Sequence, residues 1–438
     1  MSHIDQLSYT LAMVMGLGGL AFALNYKTRI STVPVLLLLG VLAGPVAGLI
    51  DRSEAGDLFG AVRVIGLVAI LFAEGHSLEW PLLRRHLKAV TLLDTLGLAL
   101  TAVLAGLAFS WAFDAPLLVG MLFGAIISAT DPATLVPLFR NSRIDQDTET
   151  LIVAESIFND PLGIVLTLVV VALVLPGSDT AHRITLIAAH TGPLAAAVLY
   201  FLYDVVLSLT LGAALGIATR WVATRLAMQE FAVLLGLSVA LGGFVLGDVL
   251  GASGYLVATS VGIVMGNHRF LFSGESPGEA RRVEDFLNAG RDFQNLASAL
   301  ATVMIFVLLG ASLDPTALGN GLVPAVLVAI GVMLVARPLA VLPLLASLGW
   351  PIRRSLFVAL EGPRGVVPAA LAGLPLALGQ QYHDDLLLHW GPMILTTTLV
   401  TVLLSVTLET VWVDTLKHRL LEGAGKRGNG IESATARK

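Results

Sequence analysis

Long apolar segments alternate with short polar ones along almost the whole chain. Thirteen segments can be marked, at residues 8–26, 31–50, 57–75, 89–113, 116–139, 149–175, 193–222, 230–248, 252–266, 297–313, 321–347, 355–379 and 391–412. A helix of about 20 apolar residues spans the hydrocarbon core of a bilayer, which is about 30 Å thick. The pattern therefore predicts an all-α polytopic membrane protein with about 13 transmembrane helices, numbered in chain order as segments one to thirteen.

Two polar regions interrupt or follow these segments. Between segments nine and ten, residues 279–296 have the pattern of an amphipathic surface helix. Residues 413–438 form a polar, glycine-rich tail. The transmembrane domain is accordingly predicted to span residues 1–412.

Lysine and arginine residues lie mostly in alternate loops. With the N-terminus placed outside, fifteen of them fall in the inside loops, and only Arg52 and Arg183 fall in the outside loops. Positively charged residues concentrate in the cytoplasmic loops of membrane proteins. The distribution therefore predicts a multi-pass protein of the cell membrane, with its N-terminus outside and its tail in the cytoplasm.

Composition narrows the possible functions. The chain of 438 residues is 56% hydrophobic and 13% charged, whereas soluble domains have about 25% charged residues. Its net charge is −5 without a basic run, so nucleic acid is not an expected partner. The absence of cysteine excludes disulfides, thiol catalysis and Cys-ligated metals. No Walker A motif or Gly-rich nucleotide fingerprint is present, so an ATP-driven pump is not expected and no cofactor is predicted.

Segment six carries polar residues that a membrane helix rarely holds. Within its apolar run lie Glu155, Ser156, Asn159, Asp160 and Pro161. Charged groups at the bilayer centre cost at least ~2.5 kcal/mol on insertion scales and mark functional sites. On a helix, Ser156 and Asp160 share one face, and Glu155 and Asn159 share the adjacent one. This stretch is therefore the first candidate for a binding site.

Segments five and twelve each carry a sequence that should break a helix. Segment five contains Thr130-Asp131-Pro132 with Pro137 following, and segment twelve contains residues 361–368 with prolines at the same spacing. Interrupted segments at corresponding positions of two halves are typical of inverted-repeat transporters. We predict a first repeat at about 8–175, a linker helix at about 193–222 and a second repeat at about 230–412. Asp131 would cap the second half-helix, bind an ion, or do both.

Other charged residues need partners or a route to water. Arg337 lies in the middle of segment eleven, and Glu155 is its natural partner in a buried pair. Arg364 would neutralise the negative ends of crossed half-helices. Glu74 is either an interface carboxylate or a gate on the cytoplasmic route to the site. Arg63 and Asp94 are expected to reach the interface, and for Asp204 and Glu409 no partner is evident.

The paired motifs identify a family resemblance. Thr130-Asp131-Pro132, followed by Glu155-Ser156, two further residues and Asn159-Asp160-Pro161, resembles the cation/proton antiporter superfamily, and most closely its NhaP type of sodium/proton antiporter. The resemblance covers all thirteen segments. It implies a homodimer, each protomer having a dimerisation domain and a six-helix core domain with crossed, broken helices.

The resemblance also implies roles for individual residues. Asp160 would bind the transported Na⁺ or Li⁺ and exchange it for a proton. Asp131, Thr130, Ser156 and Glu74 would complete or support the site. Asn159 would orient the crossing of the helices. The Glu155–Arg337 pair and Arg364 would lie next to it. Electrogenic relatives have a second aspartate at the position of Asn159, so one-for-one electroneutral exchange is expected. The ions themselves and membrane lipid are the other expected partners.

Two alternatives remain at this stage. Potassium/proton exchange would differ only in cavity size and ligand number. An intramembrane aspartyl protease could use Asp131 and Asp160, but the Gly-x-Gly-Asp signature is absent. The main prediction is a secondary transporter rather than an enzyme.

Overall fold

The computed structural model describes residues 3–28, 31–131, 139, 144–226, 229–267 and 277–421, and within these ranges every regular element is a helix. The α-helices are His3–Thr28, Thr32–Val41, Arg52–Ser77, Trp80–Leu92, Leu98–Phe113, Leu117–Ser128, Gln146–Val174, Asp179–Thr191, Pro193–Leu226, Gln229–Leu250, Gly254–Gly266, Pro277–Ala311, Pro315–Gly331, Arg337–Ser347, Ile352–Leu360, Val366–Leu371, Leu374–Tyr382 and Asp385–Leu416. Single π-helical turns occur at Leu42–Val46, Leu93–Gly97, Val332–Ala336 and Lys417–Leu421.

The helices follow the thirteen predicted segments. In the described part of the chain, nine helices are long and apolar enough to cross a membrane, and segments two, five and nine are shorter apolar helices. Segment twelve consists of the short helices on either side of residues 361–365. The prediction of an all-α polytopic protein is therefore confirmed.

Three helical features differ from the pattern of apolar residues. Segment four begins at Trp80 rather than at residue 89, because its first turns are amphipathic and carry basic residues. The predicted surface helix at 279–296 is not separate but continuous with segment ten in the helix Pro277–Ala311. An additional helix, Asp179–Thr191, lies between segments six and seven, where Ser178 caps its N-terminus by accepting a hydrogen bond from the backbone N–H of Ala181.

Contacts between loops agree with the alternation of sides. Arg52, between segments two and three, forms an ion pair at 3.1 Å with Asp314, between segments ten and eleven. At the other face, Arg354 and Asp145 pair at 3.2 Å. Each pair joins two loops that the charge distribution assigns to the same side of the membrane.

Asp204, for which the sequence offered no partner, braces segment nine. Its Oδ1 accepts hydrogen bonds from the Ser253 N–H at 2.6 Å and from the Ser208 hydroxyl at 2.9 Å. Ser253 is the N-cap of the helix Gly254–Gly266. The buried Asp204 side chain therefore holds the start of segment nine against segment seven.

Candidate functional site

Segment five loses its helical backbone at the predicted motif. The helix Leu117–Ser128 ends, and Ala129 is extended with φ −67° and ψ 150°. A residue that precedes proline avoids the helical region for steric reasons, which accounts for the non-helical Asp131 before Pro132. Pro132 and Pro137, and with them the predicted second half-helix and its cap, lie outside the described residues.

Segment twelve is interrupted at residues 361–365, as predicted. The helix Ile352–Leu360 ends before Glu361, and a new helix begins at Val366. Gly365 packs directly on Asp131, so that a Cβ atom at this position would overlap the Asp131 carboxyl group. The absence of a side chain at Gly365 therefore leaves the room that the Asp131 side chain occupies.

Hydrogen bonds join the two interruptions. The Asp131 N–H donates to the Pro363 carbonyl at 2.9 Å. Arg364, which is only 1% exposed, donates from one guanidinium nitrogen to the carbonyls of Ser128 at 2.8 Å and Ala129 at 3.0 Å. These carbonyls are at the C-terminal, negative end of the first half of segment five. Arg364 therefore lies where the sequence predicted it, against the negative end of a half-helix.

The segment six motif fastens the interrupted backbone of segment five. Asn159 Oδ1 accepts a hydrogen bond from the Thr130 N–H at 3.0 Å, and Asn159 Nδ2 donates to Thr130 Oγ1 at 2.7 Å. The Thr130 hydroxyl also bonds the Ser156 hydroxyl at 2.9 Å. Segment six itself remains one helix, Gln146–Val174, with Pro161 inside it. The helix supplies side chains to the crossing without unwinding.

Asp160 lies one helical turn beyond Ser156 and is 2% exposed. It interacts electrostatically with Glu74, Asp131 and Arg364. Among the described residues, its Oδ1 has no hydrogen-bond partner. Glu74 is partly exposed near the end of the helix Arg52–Ser77. The site therefore combines three carboxyl groups with hydroxyl and backbone oxygens.

The donor atoms around the crossing are oxygens of carboxyl, hydroxyl and backbone carbonyl groups. Within the described residues, no three His, Asp or Glu side chains form a metal-binding group. Carboxylate, hydroxyl and carbonyl oxygens are hard ligands, which favour alkali and alkaline-earth cations. The residues assigned to Na⁺, namely Asp160, Asp131, Ser156 and Thr130, are all buried around the crossing.

Glu155 and Arg337 form a bidentate ion pair. Each of the two terminal guanidinium nitrogens of Arg337 lies 3.0 Å from one carboxylate oxygen of Glu155. Both side chains are 4% exposed. Arg337 also donates to the Glu361 carbonyl at 3.3 Å, which links segments six and eleven to the interruption in segment twelve.

Three buried acids near this pair were not assigned a role from the sequence. Asp94 was expected to reach the interface, but it is 2% exposed inside the π-helical turn of segment four and interacts with both Glu155 and Arg337. Glu361 and Glu409 are also buried. Hydropathy could not find these contacts, because it reports the position of a residue along one segment and not its neighbours in other segments.

The chain is similar in sequence to known membrane proteins. A profile of the family described as "Sodium/hydrogen exchanger, transmembrane" matches residues 11–417. The chain is 33% identical over 435 residues to Na(+)/H(+) antiporter 1 of Methanocaldococcus jannaschii, covering 94% of this chain and 95% of that protein. It is 28% identical over 351 residues to the K(+)/H(+) antiporter NhaP of Alkalimonas amylolytica, covering 79% of this chain and 56% of that protein.

Solved structures give the same result for the fold. The sodium proton antiporter MjNhaP1 from Methanocaldococcus jannaschii at pH 8 superposes with a TM-score of 0.84 and 31% identity, covering 96% of this chain and 100% of that one. An electron-microscopy structure of the same antiporter superposes with a TM-score of 0.79.

Proposed function

Because the chain belongs to the sodium/hydrogen exchanger family and is a membrane cation/proton antiporter, we propose that it exchanges Na⁺ or Li⁺ for protons at Asp160. The supporting observation is the buried Asp160 carboxyl group beside Asp131 and Ser156, at the crossing of two interrupted segments. Antiporters of this family are transporters, so the protease alternative is set aside.

The proposed exchange is a competition for one carboxyl group. A proton or a Na⁺ ion neutralises Asp160, and neither form leaves an uncompensated charge in the membrane interior. Thr130, Ser156 and Asp131 would supply further oxygens to the ion, and Glu74 would guide it from the cytoplasm. Alternating access would follow from movement of a core domain past a dimerisation domain in a homodimer.

The proposed stoichiometry is one Na⁺ for one H⁺. Asn159 is uncharged and has both amide atoms engaged by Thr130, and Glu155 is paired with Arg337. Asp160 is then the group that alternates between its two neutral forms. Such a cycle moves no net charge, whereas each uncompensated charge would couple to the membrane potential by about 2.3 kcal/mol per 100 mV.

Reconstitution in liposomes with an internal pH dye tests the reaction. Opposed Na⁺ and pH gradients should give no proton flux where the two concentration ratios are equal, and a voltage imposed with valinomycin should not move that point. A null point that moves with voltage would rule out one-for-one exchange. Replacing Na⁺ by K⁺ tests the second candidate, which the K(+)/H(+) relatives support.

We extend the proposal to domain bounds and orientation. The first repeat would span 8–175, the linker helix 193–222 and the second repeat 230–412. A cysteine introduced at Ser178 should react with a membrane-impermeant thiol reagent from outside, and one at Ser142, which lies outside the described residues, from the cytoplasm. The natural chain has no cysteine to react in the background. Reaction of both from one side would contradict the orientation.

A further inference from the structure

Two carboxyl groups lie at the interruption in segment twelve and are not used by the proposed exchange at Asp160. Glu361 follows the helix Ile352–Leu360 and is 0% exposed. Glu409 lies in the helix of segment thirteen and is 1% exposed. Because both acids are almost completely buried, the charge of each must be compensated by nearby groups or removed by protonation.

Hydrogen bonds compensate the two acids unequally. Glu409 Oε1 accepts a hydrogen bond from the Gly362 N–H at 3.3 Å. Among the described residues, neither side-chain oxygen of Glu361 has a hydrogen-bond partner, and the same is true of Glu409 Oε2. The Glu361 carboxyl group therefore lacks the donors that a buried carboxylate needs.

The balance of charges around the interruption also disfavours ionisation of both acids. The groups that interact around the interruption are Glu361 and Glu409 themselves, Arg364 of the same segment, Arg337 of segment eleven, Glu155 and Asp160 of segment six and Asp94 of segment four. If all were ionised, five carboxylates would face two guanidinium groups. When two carboxyl groups are neighbours and have too little positive charge around them, one of them stays protonated.

We propose that Glu361 and Glu409 form a proton-binding site separate from Asp160, in which Glu361 holds the proton and Glu409 is ionised. Glu409 is the ionised member because its Oε1 accepts the Gly362 N–H, whereas the Glu361 side chain accepts no hydrogen bond from the described residues. Release of the proton adds a negative charge beside Arg337, whose guanidinium group bonds Glu155 and the Glu361 carbonyl.

The proton site therefore has a consequence for transport, which rests on the proposed exchange function. When Glu361 is ionised, it competes with Glu155 for Arg337 and weakens the contact that joins segment six to segment twelve. Because segment six carries Asp160, loss of the Glu361 proton at alkaline pH lowers the exchange rate. The Glu361–Glu409 site then sets the alkaline limit of exchange.

Infrared spectroscopy of the purified protein tests the site without any transport. A protonated carboxylic acid has a C=O stretching band that a carboxylate lacks. At neutral pH, the wild type should show a band that is missing from Glu361→Gln at every pH. In Glu409→Gln the band should disappear at a pH that is about one unit or more below the pH at which it disappears in the wild type. The reason is that Glu361 loses its proton more easily when the neighbouring negative charge is gone. The control Glu79→Gln changes an exposed acid and should keep the wild-type band.

Identical carboxylic-acid bands in the wild type and folded Glu361→Gln would overturn the proposal, as would a band that Glu409→Gln leaves at its original pH. The glutamine variants preserve side-chain volume, and their melting temperatures show whether each one folds.

Exchange assays in liposomes test the consequence. The wild-type exchange rate should decline at alkaline pH, and Glu361→Gln should keep the neutral-pH rate without showing this decline. An unchanged alkaline decline in Glu361→Gln would overturn the link to transport. If no exchange were found in any form of the protein, the proposed function would fail while the infrared result would still decide the proton site.

Discussion

Asn159 holds the interrupted backbone of Thr130 through both atoms of its amide group. Its Oδ1 accepts from the Thr130 N–H at 3.0 Å, and its Nδ2 donates to Thr130 Oγ1 at 2.7 Å. An aspartate at position 159 could accept the first hydrogen bond but could not donate the second. The amide therefore satisfies a backbone donor that the broken helix exposes, without adding a charge.

Removal of this amide should destabilise the crossing. In Asn159→Ala the buried Thr130 N–H loses its acceptor, which costs about 1–3 kcal/mol of unfolding free energy. The melting temperature should fall and exchange should slow. Asn288→Ala, at an exposed position of the helix Pro277–Ala311, is the control and should melt as the wild type does. Equal melting temperatures for Asn159→Ala and the control would contradict the structural role.

Replacement of the proposed carrier should abolish exchange without unfolding the protein. Asn at position 160 cannot bind and release a proton in the physiological range, so Asp160→Asn should show no cation-dependent proton flux. The control is Asp114→Asn, because Asp114 is exposed with φ 53°, a conformation that asparagine also tolerates. Substantial exchange by folded Asp160→Asn would assign the proton to another group.

The buried ion pair should show strong coupling in a double-mutant cycle. Glu155→Gln leaves the Arg337 charge buried without its partner, which costs about 3–5 kcal/mol. Arg337→Met likewise leaves the Glu155 charge buried without its partner. The double variant should lose less unfolding free energy than the two single variants lose together. Strictly additive losses would mean that the two charges do not stabilise each other.

The partly exposed pair Arg354–Asp145 provides the comparison for that cycle. Its side chains are 39% and 36% exposed at a separation of 3.2 Å. A solvent-exposed pair contributes about 0.2–1 kcal/mol. Its coupling energy should therefore be several-fold smaller than that of Glu155 and Arg337, as measured by the same unfolding assay.

The close approach at the crossing should not tolerate a methyl group. In Gly365→Ala the new Cβ would overlap the Asp131 carboxyl group, so Asp131 or the backbone must move. We expect exchange to fall at least tenfold and the melting temperature to drop. Gly60→Ala is the matched control. Gly60 lies within the helix Arg52–Ser77, and a Cβ atom added there contacts no other residue. Wild-type exchange by Gly365→Ala would show that this close packing is dispensable.

The sequence by itself determined the number of spans, their interruptions and the residues that we propose for the binding site. Hydropathy marks spans because the bilayer fixes the length of a crossing helix. Polar residues stand out in such spans because burying them in hydrocarbon is costly. For this reason Asp131, Asp160 and Arg364 could be selected from the sequence before any contact was known.

The tertiary structure alone decided which buried charges meet. Asp94 lies near the end of its predicted segment, yet the helix continues outward to Trp80 and the side chain is buried beside Arg337. Glu361 and Glu409 are 48 positions apart in the chain and come together only where segment thirteen packs on the interruption of segment twelve. Hydrophobic periodicity records which side chains avoid water, whereas the pairing of charges depends on how separate helices pack.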